Sequence, residues 1–353
     1  MYKLDCFYTL NDKTKHINSL RVIKFSNSRI LNWTIKLLIL GLFGFVVYRQ
    51  LVAKQDIHQL WLLFIENLSL SSSIYLVLII ALMPINWALE TIKWRYLLKE
   101  YENLSFVKAY KAILTGVSLS IITPARIGEY GGRLFMVKPE NNWKAVIATL
   151  VGSFSQNLIH IIIGIIGFSY FFKIVHPIDT WILAATLAIS TAFVLLLLLC
   201  FFHLDLLENI AKRFPFPKKI KPYVRHLRQL RNYNERELST VLWYSFIRYG
   251  IFCVQYFLIL KFFGIEIPLL AAFAGIASIY LVQTSIPLPP VLGVLARGEI
   301  ALFIWGIFTT NSFGILAATF GLWIINLIIP ALVGIVIIFN VNVLKSLGYE
   351  NET

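Results

Sequence analysis

The chain has 353 residues, of which 58% are hydrophobic and only 14% charged, with a mean hydropathy of +0.74. A soluble globular domain is about a quarter charged, so the composition excludes one and points to a polytopic, all-α membrane protein. The formal net charge of +14 has to crowd into loops, where it sets orientation and attracts anionic headgroups; no soluble segment is large enough to offer nucleic acid a basic surface, so none is expected as a partner.

Residues 1–29 are polar and basic and read as a cytoplasmic tail by the positive-inside rule. No cleavable signal pattern follows them. Residues 30–339 read as a single transmembrane domain. Ile30 to Tyr48 is the first span, with Lys36 expected to snorkel. Ile57 to Phe64 has the pattern of an amphipathic helix in the outer interface. Ser73 to Thr91 returns inward and runs into Lys93-Trp94-Arg95-Tyr96-Leu97-Leu98-Lys99, which reads as an aromatic and basic belt at the cytoplasmic boundary. Asn86 and Glu90 are one helical turn apart and share a face of this span.

Ser105 to Val137 holds a first broken element. The stretch Thr123-Pro124-Ala125-Arg126-Ile127-Gly128-Glu129-Tyr130-Gly131-Gly132-Arg133 combines a proline, glycines and charge among apolar residues. Backbone breaks are expected at Pro124, Gly128 and the Gly131-Gly132 pair. Basic residues flank it on both sides, so it is expected to dip in from the cytoplasm and return. Ala145 to Phe171 then crosses. Ser153, Gln156, Asn157 and His160 follow the i, i+3, i+4, i+7 spacing of one helical stripe. Trp181 to Phe202 comes back to a basic cytoplasmic loop, residues 203–239.

Thr240 to Phe263 crosses next, with Arg248 and Gln255 seven residues apart on one face. Pro268 to Phe313 holds a second broken element, Pro287-Leu288-Pro289-Pro290-Val291-Leu292-Gly293, followed by Arg297 and Glu299. Pro289 to Gly293 repeats the spacing of Pro124 to Gly128, and breaks are placed at both. Gly314 to Phe339 is the last span, and 340–353 a short cytoplasmic tail. The count is therefore about six full spans plus two broken, re-entrant hairpins. Span, hairpin and span occur twice, over residues 73–171 and 240–339, in the pattern of an inverted-topology repeat with both tips near the midplane. Two full crossings are the alternative reading of the second hairpin.

At these motifs the sequence resembles a known family. Trp94-Arg95-Tyr96-Leu97-Leu98, Thr123 to Glu129, and Pro289 to Gly293 through Glu299 look like the signature stretches of the lysylphosphatidylglycerol synthase transmembrane-region family, also described as flippase-like membrane proteins. Members commonly carry Pro-Gly-Arg-x-Gly-Glu first and Pro-Gly-Gly-x-Gly-x-x-Glu later. Here Pro290 and Val291 stand in place of the usual glycines, and Glu299 is displaced. The resemblance implies the membrane part alone, associated with moving lipids between leaflets, without the soluble aminoacyl-transferase domain that follows it in two-domain members.

Burying an arginine in a bilayer costs roughly 2.5–3.5 kcal/mol on insertion scales, so it needs a partner or a purpose. Arg126, Glu129, Arg133, Arg297 and Glu299 are the candidate substrate-binding residues, with the guanidinium groups suited to a headgroup phosphate. Gln156, Asn157, His160, Asn86, Glu90 and Arg248 are candidate cavity-lining residues. The bland alternative is internal ion pairing across the tips, Arg126 or Arg133 with Glu299 and Arg297 with Glu129. No Walker A, GxSxG or HExxH element is present, and no metal-ligand cluster or cofactor motif stands out. The expectation is a translocase of the cytoplasmic (inner) membrane for an anionic phospholipid or polyprenyl-phosphate lipid, both termini cytoplasmic. Its rivals are the lipid-handling part of a transferase system with a separate soluble transferase as partner, and a non-transporting assembly protein.

Overall fold

A computed structural model describes residues 28–51, 62, 64–68, 70–175, 179–204, 225–286 and 290–346. The amphipathic Ile57–Phe64 reading and Pro289 fall largely or wholly outside them. Helices account for all the regular structure among the described residues. They are α1 (Ser28–Leu51), α2 (Leu70–Leu98), α3 (Phe106–Ile122), α4 (Gly128–Leu134), α5 (Asn142–Val175), α6 (Thr180–Phe202), α7 (Glu235–Phe262), α8 (Leu269–Ser285), α9 (Pro290–Trp305), α10 (Ser312–Trp323) and α11 (Ile329–Phe339). A π-helical turn, Ile324–Ile328, joins α10 to α11 into one continuous helix. Among the described residues six helices, including this composite, are long and apolar enough to cross a membrane, and they coincide with the six spans read from the sequence.

The ends are set by local chemistry. Ser105 accepts a bond from the Lys108 amide and starts α3. Asn234 and Glu237 form a reciprocal capping box at the start of α7. Beyond the end of α2, Lys99 pairs with Glu237 at 3.1 Å, and that bond holds the Lys99 proton more tightly than water does. Lys36 does not snorkel. Its side chain is 5% exposed, and Nζ donates to the Phe339 carbonyl at 2.8 Å. There it meets the negative end of α11, which a cation stabilises.

The first broken element is a helix, a tight reversal and a short return. Thr123 ends α3, and residues Pro124–Arg126 make one 3-10 turn. Ala125 and Arg126 adopt positive φ, 49° and 58°, a left-handed conformation that costs a non-glycine residue about 1–2 kcal/mol. The Thr123 hydroxyl accepts from the Gly128 amide at 2.7 Å and fixes the reversal. α4 then packs back on α3. A Cβ on Gly128 would lie 2.2 Å from the Leu119 carbonyl oxygen, and one on Gly132 would lie 2.5 Å from that of Thr115. The break falls at Pro124 to Gly128, where α4 starts, but the expectation that Gly131-Gly132 breaks the helix is corrected: α4 runs through both, and Gly128 and Gly132 are the close-approach face of the hairpin. Both ends of this element lie together, because Glu102 Oε2 accepts from the Lys138 amide and from Asn141 Nδ2, each at 3.1 Å.

The second broken element pairs α8 with α9. Their 17 and 16 residues span about 24–26 Å, less than the roughly 30 Å of a hydrocarbon core. α9 returns to the start of α8, where Trp305 packs on Gly275. Gly293 lies inside α9 and is not a break, a second correction. The helix starts at Pro290, a position that tolerates the missing amide.

Packing between the two halves is reciprocal. α2 runs antiparallel to α7. Ile79 O accepts from Gln255 Nε2 at 2.9 Å, Asn86 Oδ1 from Arg248 Nε at 2.8 Å and Leu97 O from Tyr233 OH at 3.2 Å. α3 runs antiparallel to α11, with Ser118 Oγ donating to Ala331 O at 2.6 Å and Gly334 against Leu114. α8 runs antiparallel to α5, with Gly164 against Leu281 and Gly167 against Ala277. The first arm of each broken element thus lies on the closing helix of the other half.

Candidate functional site

The site forms where α2, α4, α5 and α7 meet. Glu90 is its centre. It lies on α2, with its side chain 5% exposed, and three cations converge on it. Lys93 Nζ lies 2.8 Å from Oε2, Arg133 Nη2 donates to Oε1 at 2.9 Å, and Arg248 Nη1 approaches Oε2 at 3.2 Å. Each cation comes from a different place: Lys93 one turn along α2, Arg133 from the return arm α4, Arg248 from α7 of the other half. Opposite charge at contact offsets the desolvation of a carboxylate so ringed.

Side chains around this centre complete the network. Asn86 Oδ1 orients Arg248, and Gln156 Oε1 takes a longer bond from its Nη1 at 3.4 Å. Lys93 Nζ also donates to the Gly152 carbonyl at 3.0 Å and to Ser245 Oγ at 3.3 Å. Trp94 faces the Arg133 guanidinium at 5.7 Å, while Trp87 and Phe252 each lie 5.0 Å from that of Arg248. These ring faces replace part of the water the cations have lost. Trp87 also supports the π-helical turn, since its indole N–H donates to Asn326 O at 3.2 Å. An α-helix would give that carbonyl the amide of residue 330, which is Pro330 and has none.

Glu129 carries the network out to the hairpin tip. It bonds Arg133 on one side and Arg126 Nη2, at 3.1 Å, on the other. Arg126 is 57% exposed at its side chain, and its neighbours Pro124, Ala125 and Ile127 are exposed as well. The array therefore runs from a fully buried centre to an open edge. His160 sits beside it, near Gln156 Nε2 at 3.3 Å and Thr284 Oγ1 at 3.0 Å, stacked on Tyr280.

The structure brings together Arg126, Glu129, Arg133, Glu90, Asn86, Arg248, Gln156 and His160 of the sequence-derived set. Arg297 on α9 is half-buried, and α9 packs against the Pro124–Arg126 turn that carries Arg126. The cross-tip ion pairs of the bland alternative do not form among the described residues. Arg126 and Arg133 both turn to Glu129, which the hairpin places three and four residues away from them, the spacing at which helical side chains meet. Glu299 is exposed and makes no ion pair with them. Asn157 is also exposed, whereas Ser155, outside the expected stripe, is buried and bonds Ser245 at 2.8 Å.

Lys93 is the residue that sequence reasoning missed. It reads as part of a boundary belt, yet it and Trp94 are buried, and only Lys99 at the end of that run is exposed. The available signal was its i, i+3 spacing from Glu90 within an apolar helix. Residues 33–334, most of the chain, match the family described as the lysylphosphatidylglycerol synthase TM region. The curated proteins returned no match. The motif resemblance and the whole-chain match agree, and the chain belongs to the lysylphosphatidylglycerol synthase TM region family.

Proposed function

We propose that this protein is a lipid translocase of the cytoplasmic membrane, multi-pass with both termini inside, acting on a lipid with an anionic headgroup. One observation carries the reading: a buried array of Lys93, Arg133 and Arg248 around Glu90 continues through Glu129 to the exposed Arg126 at a broken-helix tip. Charge at membrane depth beside broken backbone is the pattern of a substrate path. Membership of a membrane-lipid family gives the same direction.

In this reading a headgroup phosphate enters at Arg126 and takes the place of the Glu129 carboxylate, while the acyl or isoprenoid chains stay in the bilayer. Guanidinium groups hold phosphate oxygens bidentately. Glu129 serves as the resting counter-ion, since both of its arginine neighbours already engage it. The antiparallel α2–α7 register and the exchanged packing of α3 on α11 and α8 on α5 support an inverted-topology repeat, in which the two halves expose the array alternately to each leaflet.

The test is reconstitution of the purified chain into liposomes holding trace fluorescent lipid in both leaflets. An impermeant reductant bleaches only the outer leaflet. Bleaching of an anionic lipid beyond the outer-leaflet fraction, with a zwitterionic lipid slower, is expected. Rates equal to those of protein-free vesicles for every anionic lipid tried would contradict the reading.

A further inference from the structure

The cations at this site outnumber its carboxylates, and the excess sets the charge of the occupant. Glu90 is shared by Lys93, Arg133 and Arg248, and Glu129 by Arg133 and Arg126. Arg297 has no ion-pair or hydrogen-bond partner among the described residues, and α9, which carries it, packs against the Pro124–Arg126 turn of the first hairpin. Glu299 cannot supply the missing charge. It is exposed, and its position two residues along α9 points it away from Arg297. Among the described residues, the ion pairs of these cations involve Glu90 and Glu129 and no third carboxylate. Two carboxylates against Lys93, Arg126, Arg133, Arg248 and Arg297 leave an excess of three positive charges.

Around Glu90 the side-chain groups left without any polar partner are donors, because Glu90 Oε2, which has no hydrogen bond either, is held by its ion pairs to Lys93 and Arg248. Arg133, 1% exposed, keeps two N–H groups, Nε and Nη1, without an acceptor, and Asn86 Nδ2 is a third buried donor without one. What the site lacks is acceptor oxygens and negative charge together. A phosphodiester brings one charge. A phosphate monoester brings about 1.5–2 charges and three acceptor oxygens, and a diphosphate brings more of both.

We infer that, given the lipid-translocase reading on which this rests, the site selects a lipid ending in a phosphate monoester or diphosphate over the phosphodiester headgroup of an ordinary glycerophospholipid. Arg126 and Arg297 take the terminal phosphate. The array around Glu90 supplies the field that favours the higher charge.

The experiment is equilibrium binding to the full chain in phosphatidylcholine nanodiscs. The probes are farnesyl phosphate, farnesyl diphosphate, a short-chain phosphatidylglycerol and inorganic pyrophosphate. Both farnesyl lipids are expected to bind about tenfold tighter than phosphatidylglycerol. Arg297→Gln is expected to weaken the diphosphate about fivefold and phosphatidylglycerol less than about twofold, with Arg297→Lys retaining most of the preference. Phosphatidylglycerol binding as tightly as the farnesyl lipids would overturn the selectivity and leave the translocase reading standing. No anionic lipid binding above the nanodisc background would sink both. Pyrophosphate binding as tightly as farnesyl diphosphate would make this a soluble-anion site and overturn the lipid class. Equal losses in Arg297→Lys and Arg297→Gln, at unchanged unfolding midpoints, would remove charge as the cause and overturn the proposal.

Discussion

At the scale of single residues, Glu90 and Glu129 look alike in sequence and differ in role. Glu90 holds three cations in the interior, whereas Glu129, 12% exposed, links the buried Arg133 to the exposed Arg126. Removing one member of a buried ion network costs about 3–5 kcal/mol, because the remaining charges are left unpaired. Glu90→Gln is therefore expected to lower the thermal unfolding midpoint sharply in detergent. Glu129→Gln is expected to cost much less stability and to tighten anionic-lipid binding about tenfold, because it removes the internal competitor. If Glu129→Gln weakens binding, the displacement step is wrong. The arginines were legible in the sequence, since charge in apolar segments is conspicuous. Their partners were not: Arg133 and Arg248 reach Glu90 from 43 and 158 positions away in the chain, and only the fold brings them there.

At the scale of elements, the first hairpin is set by close approach more than by its proline. The glycines of α4 divide cleanly. Gly128 and Gly132 face carbonyl oxygens of α3, and Gly131 faces open space. Gly128→Ala and Gly132→Ala are each expected to cost about 1–3 kcal/mol or more by overpacking. Gly131→Ala is expected to be neutral or stabilising by about 0.5–1 kcal/mol, since alanine suits a helix better. Thermal unfolding of the three variants checks this, and equal losses would show that α4 does not pack on α3 as described. The sequence reading found the hairpin and misjudged the Gly131-Gly132 pair, which lies inside α4. Composition shows that a glycine is present, but whether it bends the chain or admits a neighbour depends on tertiary contacts. The same holds for Lys36, read as snorkelling out of its span, and Lys93, read as part of a boundary belt, each of which is buried on a distant carbonyl.

At the scale of the whole molecule, the six spans were readable from hydropathy alone, because backbone in lipid has to satisfy its own hydrogen bonds. The exchanged pairing of the halves was not, because it depends on which small-residue faces meet. If the halves are inverted, the α2–α3 connection and the α7–α8 connection lie on opposite sides of the membrane. In a background with Cys6, Cys200 and Cys253 replaced, Glu266→Cys is expected to react with an impermeant thiol reagent added outside intact cells, and Glu100→Cys only after permeabilisation. Both native residues are exposed. The reverse pattern would contradict the proposed orientation, and labelling of both from one side would contradict the inverted repeat. The measurement that bears most directly on the central claim is transbilayer movement of an anionic lipid in liposomes holding wild type, Arg126→Gln or Arg297→Gln, at matched unfolding midpoints. The account predicts movement with the wild type and at least about a tenfold slower rate with each variant. Unchanged rates in both variants would contradict a headgroup path through the hairpin tips.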